Sequence, residues 1–334
     1  LILNITTAGT NKAGICYELR TYGVKILQRV ISDDTFLPII YTLDVGRNDG
    51  VPDDDPLDRA NWPKANPNYG VSVYPFDMER LAKKAEESPA SMNNFLTKRL
   101  NIWCNAEAAW MNMMAWDKCA DHTLREEDFA HLPLWIGVDL ASKIDINAVV
   151  RLYKDTIDGE THVYCFPSFY LPQAAVDESK NSQYSGWQRR GLITVTEGNI
   201  IDMDLIESDV IALRDSRDLQ EVCFDPGHNA TQWSTHLEDA GCDTVEVRPT
   251  VMNFSESLKW WEALVKDGRF HHDGNEAMTW MVSNVVVKHD HKDNIFPRKE
   301  RVENKIDGAV AVCTGMNRLL ADEGTGGEPT VLVM

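Results

Sequence analysis

The sequence predicts an α/β protein, a sheet covered by helices, and three observations carry that prediction. Beyond residue 134, short apolar runs of strand length alternate with amphipathic stretches of helical length. Two of those runs, WIGVDLA and LQEVCFDPG, end on an aspartate, Asp139 and Asp225. The last periodic segment, NKIDGAVAVCTGMNRLL, is a helix with Asp307 in its first turns.

Taken in order, Leu1-Ile2-Leu3-Asn4-Ile5 reads as a strand running into the small polar turn Thr6-Thr7-Ala8-Gly9. Residues 11–30 read as a helix, because Ile15, Leu19, Tyr22 and Ile26 recur at three- and four-residue spacing. A second strand spans Phe36 to Leu43, and the Pro- and Gly-rich stretch DVGRNDGVPDDDPLDRANWPKANPNYG after it carries the punctuation of irregular structure. Its acidic run lacks the alternating ligands and terminal Glu of a calcium loop, so it reads as a solvated loop. Residues 76–102 are helical, with a break at Ser88-Pro89 and Ser91 as the cap of the second part. The segment 103–133, Trp-rich and then charged, reads as a linker.

From residue 134, WIGVDLA, NAVVRLYK and THVYCFPSFYL are strands, and a loop with a short helix over 172–190 leads to a fourth strand in GLITVTEGN. Residues 202–216 are a helix, LQEVCFDPG a strand, TQWSTHLEDA a helix and TVEVRPT a strand. Helices over 254–267 and 275–284 precede VVVKHDHKDNIFPRKER, read as one short strand and a loop, before the Asp307 helix.

At 334 residues the chain suggests two domains, and 43% hydrophobic content is ample for a core in each. No apolar run reaches the length of a membrane span, and LILNITTAG lacks the basic leader of a signal peptide, so the expectation is a cytoplasmic chain. The start at Leu1, inside an apparent strand, reads as a fragment or processed product. Seven cysteines without a CxxC pair read as reduced core thiols. A net charge of −19 disfavours nucleic-acid partners unless metal ions or a local basic strip supply positive charge.

Asp139 and Asp225 at strand ends, with Asp307 on a helix able to pack across both strands, define the candidate chemistry. A carboxylate at a core strand's end leaves the core and points into the crevice where open α/β sheets bind ligands. Converging anions repel unless they share cations, which points to hard divalent ions, Mg²⁺ or Mn²⁺. Two such ions activate water and stabilise the leaving oxygen in phosphodiester hydrolysis. Taken singly, each aspartate reads as readily as a cap of the next helix or turn, Asp225 in DPGHNATQW above all; the three together carry the metal reading. Asp145, in the same stretch as Asp139, reads evenly as an auxiliary carboxylate or a turn former.

The order of these carboxylates resembles the RNase H-like nuclease superfamily, and the whole chain resembles the C-terminal part of tailed-bacteriophage terminase large subunits. Asn4-Ile5-Thr6-Thr7-Ala8-Gly9 is similar to the strand and TTAG coupling motif of the terminase ATPase. Trp62-Pro63-Lys64-Ala65-Asn66-Pro67-Asn68-Tyr69-Gly70 resembles its W-x-x-A-N-P-x-x-G segment, and Arg99-Leu100-Asn101-Ile102-Trp103 its R-L-N-x-W stretch. Gly137-Val138-Asp139-Leu140-Ala141, Phe224-Asp225-Pro226 and Asn304-Lys305-Ile306-Asp307-Gly308-Ala309 resemble the three nuclease motifs. The resemblance implies an RNase H-like mixed sheet flanked by helices over 131–334, and an incomplete P-loop-type ATPase region with a helical linker over 1–130. It implies that Asp139, Asp225 and Asp307 ligate two Mg²⁺ or Mn²⁺ ions, with Asp145 as auxiliary. Its implied partners are double-stranded DNA, a small terminase subunit and a portal protein, in the cytoplasm of a bacterial host.

One departure matters. No G-x-x-x-x-G-K-[ST] phosphate loop occurs, and Gly9-Thr10-Asn11-Lys12-Ala13-Gly14 lacks its ending, so ATP hydrolysis, expected of an intact family member, is not expected from this chain alone. His271-His272-Asp273 and His289-Asp290-His291 read as solvated turns or an edge strand rather than transition-metal sites, and Trp260-Trp261 as core plus interface. Arg298, Lys299, Arg301 and Lys305 form the best basic strip for a DNA backbone, and read almost as readily as a solvated, salt-bridged loop; Lys288 and Lys292 extend it, and Arg189-Arg190 is a weaker candidate. Two function classes follow. One is a two-metal endonuclease of double-stranded DNA with little sequence preference, since phosphates carry no base code. The other is a catalytically silent or truncated prophage packaging subunit that acts as a docking module.

Overall fold

The computed structural model describes residues 2–12, 14–45, 53–106, 109–140, 145–179, 181, 183–227, 230–301 and 303–324. The tip of the acidic loop, Ala13 of the Gly-bounded segment and Ala141 of GVDLA lie outside them. The chain divides into two compact units, Leu1–Trp110 and Met111–Met334.

The first unit holds α1 (Ile15–Leu27), α2 (Trp62–Ala65), α3 (Pro75–Glu87) and α4 (Pro89–Arg99). Proline opens both α3 and α4, where its missing N–H is no loss. Ser88, not Ser91, caps α4: its hydroxyl accepts from the Ser91 N–H at 3.2 Å. The described part of the acidic stretch is not all irregular: Trp62-Pro63-Lys64-Ala65 makes one helical turn, and Lys64 bridges Asp54 at 2.7 Å. The strands expected over 1–5 and 36–43 form no ladder among the described residues. A strand exists through its pairing, and Ile2, Leu3, Ile5, Leu37 and Ile39 stay exposed.

The second unit opens with α5 (Met113–Lys118), so the segment read as a linker contributes to its core: Trp116 is fully buried and stacks on His272 at 4.0 Å. Then follow β1 (Pro133–Asp139), β2 (Asn147–Ile157), β3 (Glu160–Pro172), α6 (Gln173–Glu178), α7 (Gln183–Arg189), β4 (Thr194–Thr196), α8 (Met203–Ser216) and β5 (Asp218–Phe224). The order continues through α9 (Ala230–Asp239), β6 (Thr244–Glu246), α10 (Val251–Lys266), β7 (Phe270–His272) and α11 (Glu276–Ser283). It ends with β8 (Val285–His289), β9 (Ile295–Lys299) and α12 (Asp307–Gly324).

Among the described residues the strands make one mixed sheet in the order β4-β3-β2-β1-β5-β6, with β7 also on β3, and a separate β8-β9 hairpin. β1 to β3 form an antiparallel meander, while β5 and β6 join parallel on the other side of β1. The hairpin replaces the single strand expected in VVVKHDHKDNIFPRKER; Asp290 makes the turn by accepting from the Lys292 and Asn294 amides at 2.7 and 3.0 Å.

Side-chain alternation divides the two faces. Leu134, Ile136 and Val138 pack with Val222, Phe224, Ile206, Val210 and Trp233, on the face covered by α8 and α9. Gly137 faces the other way, against Ala311 and Gly315 of α12. A Cβ at Gly137 would lie 2.6 Å from the Gly315 amide nitrogen, so only glycine lets the helix backbone rest on the strand. Ala311, Val312, Met316 and Leu319 are fully buried along α12; each of the larger three contributes roughly 1.5–3 kcal/mol of hydrophobic stabilisation.

Candidate metal centre

Alternation that turns Gly137 toward α12 turns Asp139, two residues on, to the same side at the strand's end. The last β1–β5 pair is Val138↔Phe224, so Asp139 and Asp225 leave the sheet from adjacent parallel strands. Asp307 opens α12, one helical turn before the Ala311 that rests on Gly137, and is thereby carried toward the same strand ends. Asp145 returns to the site because β2 folds back antiparallel on β1, with Ala148 opposite Asp139.

The electrostatics record this convergence. Burial pushes the Asp139 carboxyl well above the usual carboxylate range, and the charges of Asp307, Asp225 and Asp145 push it further. Asp307 is raised to about 6, by burial first and then by Asp145. One carboxylate oxygen of Asp307, Oδ2, is buried without a hydrogen-bond partner. Among the described residues no three His, Cys, Asp or Glu side chains already enclose a common point. Bare carboxylates repel, and closing them needs a counter-charge. Hard oxygen donors, mutual repulsion and an orphaned buried oxygen together fit a divalent cation.

The basic residues lie in different surroundings. Lys299, exposed at the end of β9, lowers the pKa of both Asp139 and Asp307 by its charge and so faces the acidic group. Arg298 is exposed beside it but alternates to the opposite face of the strand, and Arg301 is half-buried beyond the hairpin. Lys305 is not displayed for a backbone contact: its Nζ donates to Asp145 Oδ2 at 2.6 Å, and Asn284 Nδ2 donates to its carbonyl at 2.9 Å. Lys288 is exposed in β8 and Lys292 in the hairpin turn, whereas Arg190 is tied to Glu276 at the end of α7.

Asp145 serves its own turn as well, since Oδ1 accepts from the Ile146 N–H at 2.9 Å. Sequence reasoning missed Tyr184. Buried on α7, it is raised above its ordinary pKa by burial and then by the charges of Asp145 and Asp307, which places it beside them. Its one local mark is Trp187, a helical step away, with rings 5.6 Å apart.

The histidines lie elsewhere. His271 and His272 belong to β7, an edge strand as expected, yet His272 is buried rather than solvated. Its Nε2 donates to the Trp116 carbonyl at 3.0 Å and its Nδ1 accepts from the Gly274 amide at 3.2 Å, so the ring is neutral; burial lowers its pKa to about 4. His271 shares a hydrogen bond with His162 at 2.9 Å. Trp261 is fully buried and Trp260 partly so, which makes the pair core rather than a stacking surface.

Comparison with known proteins places the chain in a family. The chain is 37% identical to Protein YmfN of Escherichia coli (strain K12) over 333 residues, 97% of this chain and 71% of that protein. It is 26% identical to the large terminase subunit of Enterobacteria phage HK97 over 270 residues, 78% of this chain and 51% of that protein. The crystal structure of the HK97 bacteriophage large terminase superposes with a TM-score of 0.56 at 24% identity, covering 92% of this chain and 61% of that one. The shared fold is the RNase H-like mixed sheet flanked by helices, and the chain spans about three fifths of the HK97 structure. The family model described as the terminase large subunit endonuclease domain matches residues 31–323, and the chain belongs to that family.

Proposed function

We propose that the second unit is a metal-dependent endonuclease that cuts double-stranded DNA as part of a packaging terminase, with Asp139, Asp225 and Asp307 as its metal ligands. The observation that carries this reading is the group of mutually repelling carboxylates at the strand ends, with Asp307 Oδ2 buried and unpartnered. Two Mg²⁺ or Mn²⁺ ions, when bound, would supply an activated water and stabilise the leaving oxygen. Asp139 and Asp225 hold their positions through the pairing of β1 with β5, and Asp307 through the glycine contact of α12 with β1. Asp145 is the auxiliary carboxylate, set on the returning strand. Lys299 brings positive charge to the acidic group, where a phosphate backbone needs it, and Arg298 and Arg301 lie next to it on the chain. Metal ions and lysines engage phosphates rather than base edges, so sequence preference is low. A small terminase subunit and a portal are the partners that family membership supports. The first unit, with the linker to about residue 130, is the rear of an ATPase region in this reading.

The test is plasmid relaxation and linearisation with Mn²⁺ or Mg²⁺, comparing the wild-type chain with Asp139→Asn and Asp307→Asn. Cleavage that needs the metal and is lost in both variants supports the assignment; equal cleavage by all three proteins ends it.

A further inference from the structure

Lys305 has two carboxylates near its charge, Asp307 and Asp145, and its choice is informative. Asp307 is its neighbour two residues along the chain and has a buried oxygen with no partner, yet the ammonium bonds Asp145 Oδ2 instead, at 2.6 Å. Lys305 is largely buried, at 19% exposed, while Asp145 is 39% exposed, so the pair is shielded from solvent mainly on the lysine's side. The lysine backbone is anchored as well, because Asn284, itself buried at the end of α11, donates to the Lys305 carbonyl at 2.9 Å. Asp145 thereby has both oxygens engaged, Oδ1 by the Ile146 amide and Oδ2 by the ammonium.

An ammonium at hydrogen-bond distance occupies the lone-pair direction that a ligated cation would take, and it repels any cation brought to the same oxygen. We propose that Lys305 is a positioning residue that holds Asp145 back from the metal centre, keeping the affinity for one divalent ion low in the absence of DNA. The inference rests on the nuclease reading and deepens it, since it sets Asp145, with both oxygens engaged, apart from Asp307, which keeps a buried oxygen without a partner. Lys305 then acts as an internal counter-charge of the acidic group rather than as a contact to the DNA backbone.

Mn²⁺ titrated calorimetrically into the DNA-free chain tests this, with Lys305→Met, Lys305→Gln, Lys305→Arg, Lys305→Met/Asp145→Asn and Asp139→Asn, each checked for folding by circular dichroism. The expected result is Mn²⁺ binding at least about tenfold tighter, or one more ion bound, in Lys305→Met and Lys305→Gln. Lys305→Arg, which keeps the charge, should match the wild type, and the double variant should lose the gain. Unchanged or weaker binding by both folded neutral variants overturns the inference while leaving the nuclease reading intact. Wild-type binding that does not depend on Asp139 removes the metal centre itself, and this inference with it.

Discussion

Gly137 of β1 and Gly315 of α12 meet backbone to backbone: a Cβ on Gly315 would lie 3.1 Å from the Gly137 nitrogen, and one on Gly137 would lie 2.6 Å from the Gly315 nitrogen. The contact sets how closely the helix bearing Asp307 approaches the strand bearing Asp139. Gly137→Ala should therefore push α12 off the sheet. We expect a loss of about 3 kcal/mol in urea unfolding, at the upper end of overpacking effects. Because the displaced helix carries Asp307, Mn²⁺ affinity should fall even at temperatures where the variant remains folded. An unchanged unfolding midpoint would contradict the contact.

Protonation of Asp307 offers a second check. Its carboxyl is raised in the folded chain from 3.8 to about 6, so the folded state holds a proton that the unfolded state releases between those values. Stability of the metal-free protein should fall as pH rises through that window. Asp307→Asn removes the penalty and should stabilise the metal-free chain at pH 7.5, by roughly 1–3 kcal/mol from the size of the shift. The gain should shrink to nothing below about pH 4, and Mn²⁺ should raise the melting temperature of the wild type more than that of the variant. A gain that persisted at low pH would show that the carboxyl's charge is not its source.

DNA affinity should depend on Lys299 through salt. If its ammonium meets a phosphate, Lys299→Ala weakens binding to duplexes of any sequence to a similar degree. It should also reduce the slope of log K against log salt by about 0.9. Fluorescence anisotropy of labelled duplexes between 50 and 200 mM salt, in Ca²⁺ to hold the DNA intact, measures both quantities. A sequence-dependent loss with an unchanged slope would place Lys299 away from the backbone.

Much of the fold is legible because its signals are local. Val138 before Asp139 and Phe224 before Asp225 sit in apolar runs bounded by turn residues, and both became core strands of the mixed sheet. Asp202, Thr250 and Asn275 cap α8, α10 and α11, and the first turns of those helices stand within about three residues of the positions that periodicity assigns. Residues 2–5 and 36–43 show the limit. Their β-rich composition is real, but a ladder needs a partner strand, and apolar pattern alone does not supply one. The site follows the same rule. That Asp139 and Asp225 stand at the ends of adjacent strands and Asp307 at the start of the last helix follows from their places in the sequence pattern, whereas the Lys305–Asp145 bond joins groups 160 positions apart. Nothing near Lys305 in the chain distinguishes a lysine that will meet a carboxylate from one that will face solvent.

The Trp116–His272 stack has a mechanical consequence. It fastens the chain entering the second unit to β7, which pairs with β3 at Val163 to Cys165. Through the register of the meander, that edge lies level with Leu134, at the start of β1, while Asp139 stands at the other end of the strand, about 17 Å away. Tension arriving along the polypeptide ahead of Met111 is thus taken up by a buried aromatic clasp and spread across the hydrogen-bonded ladder at the sheet's far rim. The carboxylates stand at the opposite end of that ladder from the clasp.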